Sequence, residues 1–172
     1  IPIGDKTMIQ VVVENLRPSK AHRFIFICQR QHDDQYQVVE HLKSLSPSCE
    51  VVLIDGITEG AACTVLESAP HIDNASPLLI ANSDQWIDAS IDEFLAAWDA
   101  QGTDGFIMTM TSNDPKWSYV SYDADGRIDG VVEKVVVSDQ ATVGIYGFGS
   151  GAQFCSGARR MIAEDKRSKG EF

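Results

Sequence analysis

The sequence has no long hydrophobic run and little positive charge. Its 172 residues carry 25 acidic and 14 basic side chains, which gives a net charge of −11. This balance argues against nucleic acid or an anionic membrane as the main partner, because both attract basic surfaces. No apolar stretch is long enough to span a bilayer, and no signal-peptide pattern opens the chain. We therefore expect neither a nucleic-acid nor a membrane partner.

Cysteine and histidine are few and scattered. The cysteines, none of which forms a C-x-x-C motif, are Cys28, Cys49, Cys63 and Cys155. This spacing predicts reduced thiols rather than disulfides or a zinc site, and hence a cytoplasmic protein. The histidines are equally dispersed and predict no metal cluster.

Alternating hydrophobic patterns organise the first part of the chain. Apolar periodicity predicts helices over Lys6–Asn15, Asp34–Leu45, Glu59–Glu67 and Ile91–Ala100, the last capped by Ser90 or Asp88. Continuous apolar runs predict strands over Arg23–Cys28, Glu50–Ile54 and Pro77–Ala81. A strand–helix alternation of this kind indicates right-handed crossovers and a parallel sheet with helices on both faces.

The pattern becomes richer in strands after residue 104. We predict strands over Gly105–Thr111 and Thr142–Phe148, a hairpin of Trp117–Tyr122 with Arg127–Val132, and a helix over Gly151–Asp165. No linker, repeat or low-complexity tract interrupts the chain, which indicates one domain. The fold class predicted is α/β.

Asp84 is the first candidate for chemistry. It belongs to the polar run Asn82–Gln85, which directly follows the apolar strand Pro77–Ala81. Ligands bind at the carboxyl ends of strands in open α/β sheets, and a carboxylate there suits a divalent metal and a phosphate. The alternative is a turn or cap residue, since Asn, Ser and Asp favour such positions.

The loop after the strand Glu50–Ile54 is the second candidate. In the run Asp55–Ala62, Gly60 and two alanines remove side-chain bulk, so a flat ring has room against the backbone. N–H groups at the helix start are available to a base edge or a phosphate. The alternative is a tightly packed helix with Thr58 as its N-cap.

Three further segments suit a phosphorylated, hydroxyl-bearing ligand. Lys134 offers positive charge for a phosphate, and the adjacent Glu133 can accept from hydroxyl groups, although the pair also suits a solvated strand end. Ser118, between Trp117 and Tyr119, indicates a narrow shelf or a packed hairpin. Gly144 inside a strand indicates either close approach of another group or a bulge.

In their order, these motifs resemble those of the sugar-1-phosphate nucleotidyltransferases, in particular the glucose-1-phosphate thymidylyltransferase-like enzymes of capsular and surface polysaccharide synthesis. The resemblance covers Lys6 to about Phe172. It implies a Rossmann-like, three-layer, GT-A-like fold with a mostly parallel mixed sheet and helices on both faces. It also implies one nucleotidyltransferase-like domain over residues 1–172, truncated at both ends.

The resemblance carries roles to individual positions. It makes Asp84 the ligand of a catalytic Mg²⁺ and Lys134 the residue that meets the sugar phosphate. It assigns the nucleotide base to Asp55, Thr58 and Gly60, and the sugar to Ser118, Glu133 and Gly144. The family's glycine-rich phosphate loop precedes the stretch that Ile1–Ile9 matches, and its second metal-binding aspartate falls beyond Phe172, so this chain holds half of the reaction centre.

The reaction implied joins a nucleoside triphosphate to a phosphorylated sugar, or a similar small molecule, and releases pyrophosphate. One alternative is a GT-A-type glycosyltransferase that uses a nucleotide sugar, although Asn82-Ser83-Asp84 lacks the first acid of an Asp-x-Asp motif. The other is a non-catalytic protein that binds a nucleotide or a sugar phosphate. The sequence names neither base nor sugar, and it leaves a homo-oligomer open.

Overall fold

The computed structural model describes residues 1–168 and 170–172. In chain order its elements are β1 (Pro2–Ile3), β2 (Lys6–Thr7), α1 (Met8–Asn15), β3 (Ile25–Gln29), α2 (Arg30–Tyr36), α3 (Val38–Leu45), β4 (Glu50–Ile54), α4 (Ala61–Leu66), α5 (Ala69–Ile72), β5 (Leu78–Ala81), α6 (Ile91–Gln101), β6 (Gly105–Thr111), β7 (Ser118–Tyr122), β8 (Ile128–Glu133), β9 (Gln140–Phe148) and α7 (Gly151–Ala163). Among the described residues, no helix is both long and apolar enough to cross a membrane.

Strand pairing divides the main structure into two ladders. β3 and β4 pair in parallel, from Ile25 opposite Glu50 to Gln29 opposite Ile54. The larger sheet has the order β5–β9–β7–β8, with β6 on the other side of part of β9. Every pairing in this larger sheet is antiparallel.

The expectation of a mostly parallel sheet is therefore wrong for the paired strands described here. The cause is β9, which returns after the β7–β8 hairpin and runs antiparallel to both β5 and β6. β5 and β6 consequently point the same way without being neighbours. A sequence pattern predicts where strands lie, but it does not specify which strand is inserted between two others.

Helices cover both faces of the sheet, as predicted. On β5, Leu79 packs against a core built by α1 and α6, where Val12, Phe94 and Trp98 are buried. The neighbouring side chains of Leu78 and Ile80 point the other way and pack against α4, α5 and α7. This alternation is the period of two expected for a strand buried on both faces.

The helix predicted over Asp34–Leu45 is two helices. α2 ends where Gln37 adopts a left-handed conformation with φ of 54°. The Asp33 carboxylate accepts from the Val39 backbone N–H at 2.8 Å, which satisfies a donor at the start of α3. Apolar periodicity continues across this break, so the pattern alone predicted one continuous helix.

The starts of the other helices follow local capping chemistry. Ser90 caps α6 by accepting from the Glu93 N–H, which confirms one of the two predicted caps. Thr7 caps α1, so that helix begins later than predicted, after the short strand β2 pairs with β1. The predicted helix over Glu59–Glu67 shortens to α4, and Gly60, not Thr58, is its N-cap.

Candidate functional site

The polar turn after β5 is anchored to the neighbouring strand β9. The Asn82 backbone N–H donates to the Gly144 carbonyl oxygen at 3.0 Å. The Asn82 side-chain amide donates to the Gln85 side-chain oxygen at 2.6 Å. Asp84 lies between these two amides along the chain and is exposed. Asp84 is thus exposed at the carboxyl end of β5; this place in the fold is as predicted, and its role as a metal ligand stays a prediction.

Gly144 on β9 is the residue that this turn packs against. Its φ is +72°, and a Cβ there would come closer than 3.0 Å to both the Asn82 and the Gln85 side chains. β9 also bulges at this point, because Ile107 pairs with Tyr146 while Thr109 pairs with Thr142. Both features predicted for a glycine in this strand, close approach and a bulge, are thus present. The predicted contact of Gly144 with a sugar remains a prediction.

Ser118, Glu133 and Lys134 come together at one end of the β7–β8 hairpin. Ser118 lies directly opposite Glu133 in the antiparallel ladder. The Lys134 backbone N–H donates to the Trp117 carbonyl oxygen at 3.0 Å, and Lys134 Nζ lies 3.0 Å from Glu133 Oε1. Lys134 has φ of 54°, an uncommon conformation for a lysine that is found more often at functional sites.

β9 connects the Asp84 turn with this acid–lysine pair. Ala81, the last residue of β5, lies opposite Ile145. Further along β9, Ala141 lies opposite Tyr119, next to Ser118. The turn, the bulge and the hairpin end therefore occupy adjacent strands of one sheet. The exposed Asp84 carboxylate and the exposed Lys134 ammonium group therefore belong to the same sheet, and their joint role at a phosphate stays a prediction.

A cavity of about 630 Å³ opens directly beside this turn. The cavity is lined by the segment after Asp84, the start of α6, the middle of β6 and the residue before β7. The large apolar side chains in this lining are Trp86, Phe94, Met108, Met110 and Trp117. Asp88 and Glu93 are the acids in its lining. The cleft is thus largely aromatic and apolar, with an acidic component, which is typical of a small-molecule site.

The loop after β4 lies on the other ladder. The Asp55 carboxylate accepts from Arg30 Nε at 2.9 Å, which joins the ends of the parallel strands β4 and β3. The Thr58 hydroxyl donates to the Gly60 carbonyl oxygen at 3.0 Å and lies 2.5 Å from the Thr64 hydroxyl. These contacts shape the loop internally. Both ladders share the core against α7, through Ile25 on one side and Leu78 on the other.

Gly60 has a close neighbour that the sequence did not predict. With φ of +137°, a Cβ on Gly60 would come closer than 3.0 Å to backbone atoms of Phe172. The Ala62 N–H, one of the donors expected to be available for a base edge, donates to the Phe172 carbonyl oxygen at 3.1 Å. Close backbone packing is therefore one reason for a glycine here, while contact with a base stays a prediction.

The side chains around Asp84 fit a magnesium ion only if water and substrate phosphates supply most of its ligands. Among the described residues, no group of three or more His, Cys, Asp and Glu side chains is placed to hold a metal. Mg²⁺, however, usually keeps several waters and binds through one or two carboxylates together with substrate phosphates. A single exposed carboxylate at position 84 suits that mode and does not suit a site made of protein ligands alone.

Sequence reasoning missed two arginines at the loop. Arg30 pairs with Asp55, and Arg167 pairs with Glu59 at 2.7 Å. Arg30 directly follows β3, just as Asp55 directly follows β4. Because the two strands were both predicted, the sequence could have indicated that these residues lie next to each other. Arg167 lies 108 positions from Glu59, and no local signal connects them.

Comparison with known proteins places these features in a family. A family model described as nucleotidyl transferase matches residues 1–170. No protein with a curated description matches the chain in sequence. Solved structures are similar in fold. One is a nucleoside-diphosphate-sugar pyrophosphorylase from Vibrio cholerae RC9, with a TM-score of 0.74 and 19% identity, over 100% of this chain and 73% of that one.

Two other solved structures are also similar. A glucose-1-phosphate thymidylyltransferase from Bacillus anthracis, in complex with a sucrose, has a TM-score of 0.70 at 16% identity, over 99% of this chain and 68% of that one. A UDP-glucose pyrophosphorylase complexed with UDP-glucose has a TM-score of 0.66 at 15% identity, over 98% and 79%. These likenesses confirm the predicted Rossmann-like α/β fold class.

Proposed function

Because the chain belongs to the nucleotidyl transferase family, we propose that it joins a nucleoside triphosphate to a phosphorylated sugar, or a similar phosphorylated small molecule, and releases pyrophosphate. The observation that carries this proposal is the Asp84 turn. It is anchored on Gly144, exposed, and adjacent to a cleft of about 630 Å³. An exposed carboxylate on an anchored turn, next to Gln85 in the wall of the cleft, suits the positioning of reacting phosphates.

The transfer needs little covalent chemistry from the protein. A phosphate oxygen of the acceptor forms a new bond to the α-phosphorus of the triphosphate, and the bond from that phosphorus to pyrophosphate breaks. The attacking phosphate is already ionised at neutral pH, so we assign no general base. The protein therefore contributes by orienting the two phosphates and by neutralising their charge.

We assign the charges to two residues. The Asp84 carboxylate would hold Mg²⁺, and the metal when bound would supply positive charge against the phosphates. The exposed ammonium group of Lys134, the residue directly after β8, orients and neutralises the phosphate of the acceptor. Lys134 Nζ lies 3.0 Å from Glu133 Oε1, so the carboxylate gives the ammonium group a preferred position before substrate arrives.

The remaining predicted residues would recognise the two substrates. We propose that Ser118, Glu133 and Gly144 contact the acceptor, because they lie on neighbouring strands around the Asp84 turn. We propose that Asp55, Thr58 and Gly60 contact the nucleotide base from the loop after β4. A role in surface polysaccharide precursor synthesis, in the cytoplasm, extends this proposal and is supported by the resemblance of the motifs.

The test is Asp84→Asn in the complete gene product. We expect pyrophosphate release to fall at least about a hundredfold, because charge stabilisation by a bound metal is worth several kcal/mol. The thermal midpoint should stay close to that of the wild type, since surface substitutions usually change stability by less than about 0.5 kcal/mol. Pyrophosphate is measured by a coupled phosphate assay across nucleoside triphosphates and sugar phosphates.

Asp99→Asn is the matched control. Asp99 is an exposed aspartate that pairs with Lys20 at 3.1 Å on α6, outside the proposed site, so its loss should leave turnover unchanged. Full activity in Asp84→Asn would remove Asp84 from the centre. Release of a nucleoside diphosphate from a nucleotide sugar would instead identify a glycosyltransferase. Absence of any metal-dependent stabilisation by triphosphates would indicate a non-catalytic protein.

A further inference from the structure

We propose that Arg167 is a positioning residue for the nucleotide loop, defined here as Asp55–Ala62. In this inference, which rests on the proposed function, Arg167 acts through Glu59 and Phe172 to hold the loop in the shape that receives the nucleoside triphosphate. Arg167 itself need not contact either substrate.

The Arg167 side chain joins three groups at once. Its Nη2 lies 2.7 Å from Glu59 Oε2 in the loop, and its Nε lies 2.6 Å from Asp165 Oδ1. Its Nη1 donates to the Gly170 carbonyl oxygen at 3.1 Å. A guanidinium group that uses all three nitrogens in this way has a defined orientation, which an exposed lysine does not have.

The same guanidinium group also covers an aromatic ring. Its central carbon lies 3.8 Å from the centre of the Phe172 ring. Arginine stacks on aromatic faces through dispersion and cation–π attraction, and such contacts gain strength when they are partly desolvated. The side chain of Arg167 is only 33% exposed, against 68% for Glu59. The arginine is thus the less exposed partner, and its contacts with Asp165, Gly170 and the Phe172 ring restrict the position from which it meets the loop.

The backbone of Phe172 then binds the loop directly. Its N–H donates to the Glu59 carbonyl oxygen at 2.8 Å, and its carbonyl oxygen accepts from the Ala62 N–H at 3.1 Å. Gly60 lies between these two bonds, with φ of +137° and no room for a Cβ against Phe172. Side-chain and backbone contacts therefore act on the same stretch of the loop, and each supports the other.

The loop's other restraints include the Arg30–Asp55 pair at its start and the hydrogen bonds of the Thr58 hydroxyl to Gly60 and Thr64. Ile57 is 92% exposed, and α4, which follows, is a single short helix from Ala61 to Leu66. Segments with few buried contacts open locally at low free-energy cost. A loop of this kind binds a ligand well only when an outside contact limits its conformations, since binding otherwise carries the ordering cost. Arg167 and Phe172 provide such a contact at Glu59–Ala62, whereas Arg30 holds only the start of the loop at Asp55.

The kinetic test is Arg167→Ala in the complete gene product. We expect the KM for the nucleoside triphosphate to rise about threefold to tenfold, the range for one partly exposed ion pair with a stacked ring. The KM for the phosphorylated acceptor and kcat at saturation should change less than twofold. Arg167→Lys keeps the charge and loses the planar fork, so its effect should be intermediate.

Arg159→Ala is the matched control, because Arg159 forms an arginine–aspartate pair with Asp73 at 2.8 Å that does not touch the loop. It should leave both KM values unchanged. Glu59→Gln should reproduce part of the Arg167→Ala effect, and the double variant should be no worse than Arg167→Ala alone. An equal rise in both KM values, or additive effects in the double variant, would overturn the positioning role.

Amide hydrogen exchange tests the same inference without any turnover. In Arg167→Ala, we expect the Ala62 amide to exchange about three to ten times faster, while amides in α7 keep their protection. Unchanged exchange in the loop would overturn the inference even if the enzyme is active. If the wild-type protein releases no pyrophosphate but the exchange result holds, the proposed function fails and the structural role of Arg167 stands.

Discussion

Replacing Gly144 by alanine should disturb both the fold and the Asp84 turn. The backbone at this position has φ of +72°, which side chains other than glycine rarely adopt. The added methyl group would also come closer than 3.0 Å to the Asn82 amide and to the Gln85 side-chain oxygen. Those two groups are joined within the turn by a hydrogen bond of 2.6 Å, and the Asn82 backbone N–H holds the turn on β9 at 3.0 Å. The turn must therefore move away from the sheet.

The cost can be worked out from these two effects. A left-handed conformation costs a residue with a Cβ about 1–2 kcal/mol. Loss of the Asn82–Gln85 hydrogen bond adds about 0.5–1.5 kcal/mol. Together they give about 1.5–3.5 kcal/mol, which for a chain of this size lowers the thermal midpoint by roughly 3–14 °C. Activity should fall by a larger factor than the folded fraction does, because Asp84 no longer sits in its position.

The assay compares Gly144→Ala with Gly157→Ala. Gly157 lies inside α7, and a Cβ there meets nothing within 4 Å. Alanine should stabilise that helix by about 0.5–1 kcal/mol, since glycine is the poorer helix former. Thermal and urea unfolding give both changes, and pyrophosphate release at a temperature where both variants are folded gives activity. If Gly144→Ala is as stable and active as the wild type, the argument for a glycine-supported turn is refuted.

Two further predictions concern α7 and the thiols. Ser150→Ala should destabilise the protein by about 1 kcal/mol in urea unfolding. The Ser150 side chain accepts from the Gln153 N–H at 3.1 Å, and the Gln153 side chain accepts from the Ser150 N–H at 3.0 Å, which together form a capping box at the start of α7. An unchanged unfolding midpoint would contradict the stabilising role of this capping box. Burial raises the pKa of the Cys49 and Cys155 thiols, so less thiolate is present at neutral pH, and both should be labelled by a thiol reagent slowly in the native protein and fully in denaturant. Rapid labelling of native Cys155 would show that the α7 core opens.

Local patterns in the sequence were sufficient for most elements. Glu50–Ile54 and Gly105–Thr111 form strands with the predicted bounds, and Ser90 caps α6 as expected. These features depend on hydrophobic alternation and on a side chain that bonds a backbone group a few residues away. The position of Asp84 after β5 was predicted in the same way, because the buried strand ends where its apolar run gives way to the polar residues Asn82–Gln85.

Other features depend on contacts between distant segments. The insertion of β9 between β5 and β6 made the larger sheet antiparallel, and hydrophobic patterns do not encode which strand becomes a neighbour. Gly60 meets Phe172, and Arg167 meets Glu59, across more than a hundred positions. Neither pair leaves a local signal, because only the folded chain brings their atoms together.

The sequence by itself determined the residue types available for chemistry and the strand ends that carry them: Asp84, the Glu133–Lys134 pair and the glycines at 60 and 144. Tertiary structure alone decided why those glycines are needed, since a missing Cβ matters only once another group lies against it. It also decided which side chains share a surface. Composition and periodicity describe residues that are close in the sequence, whereas steric exclusion and hydrogen bonding between strands depend on residues that only folding brings together.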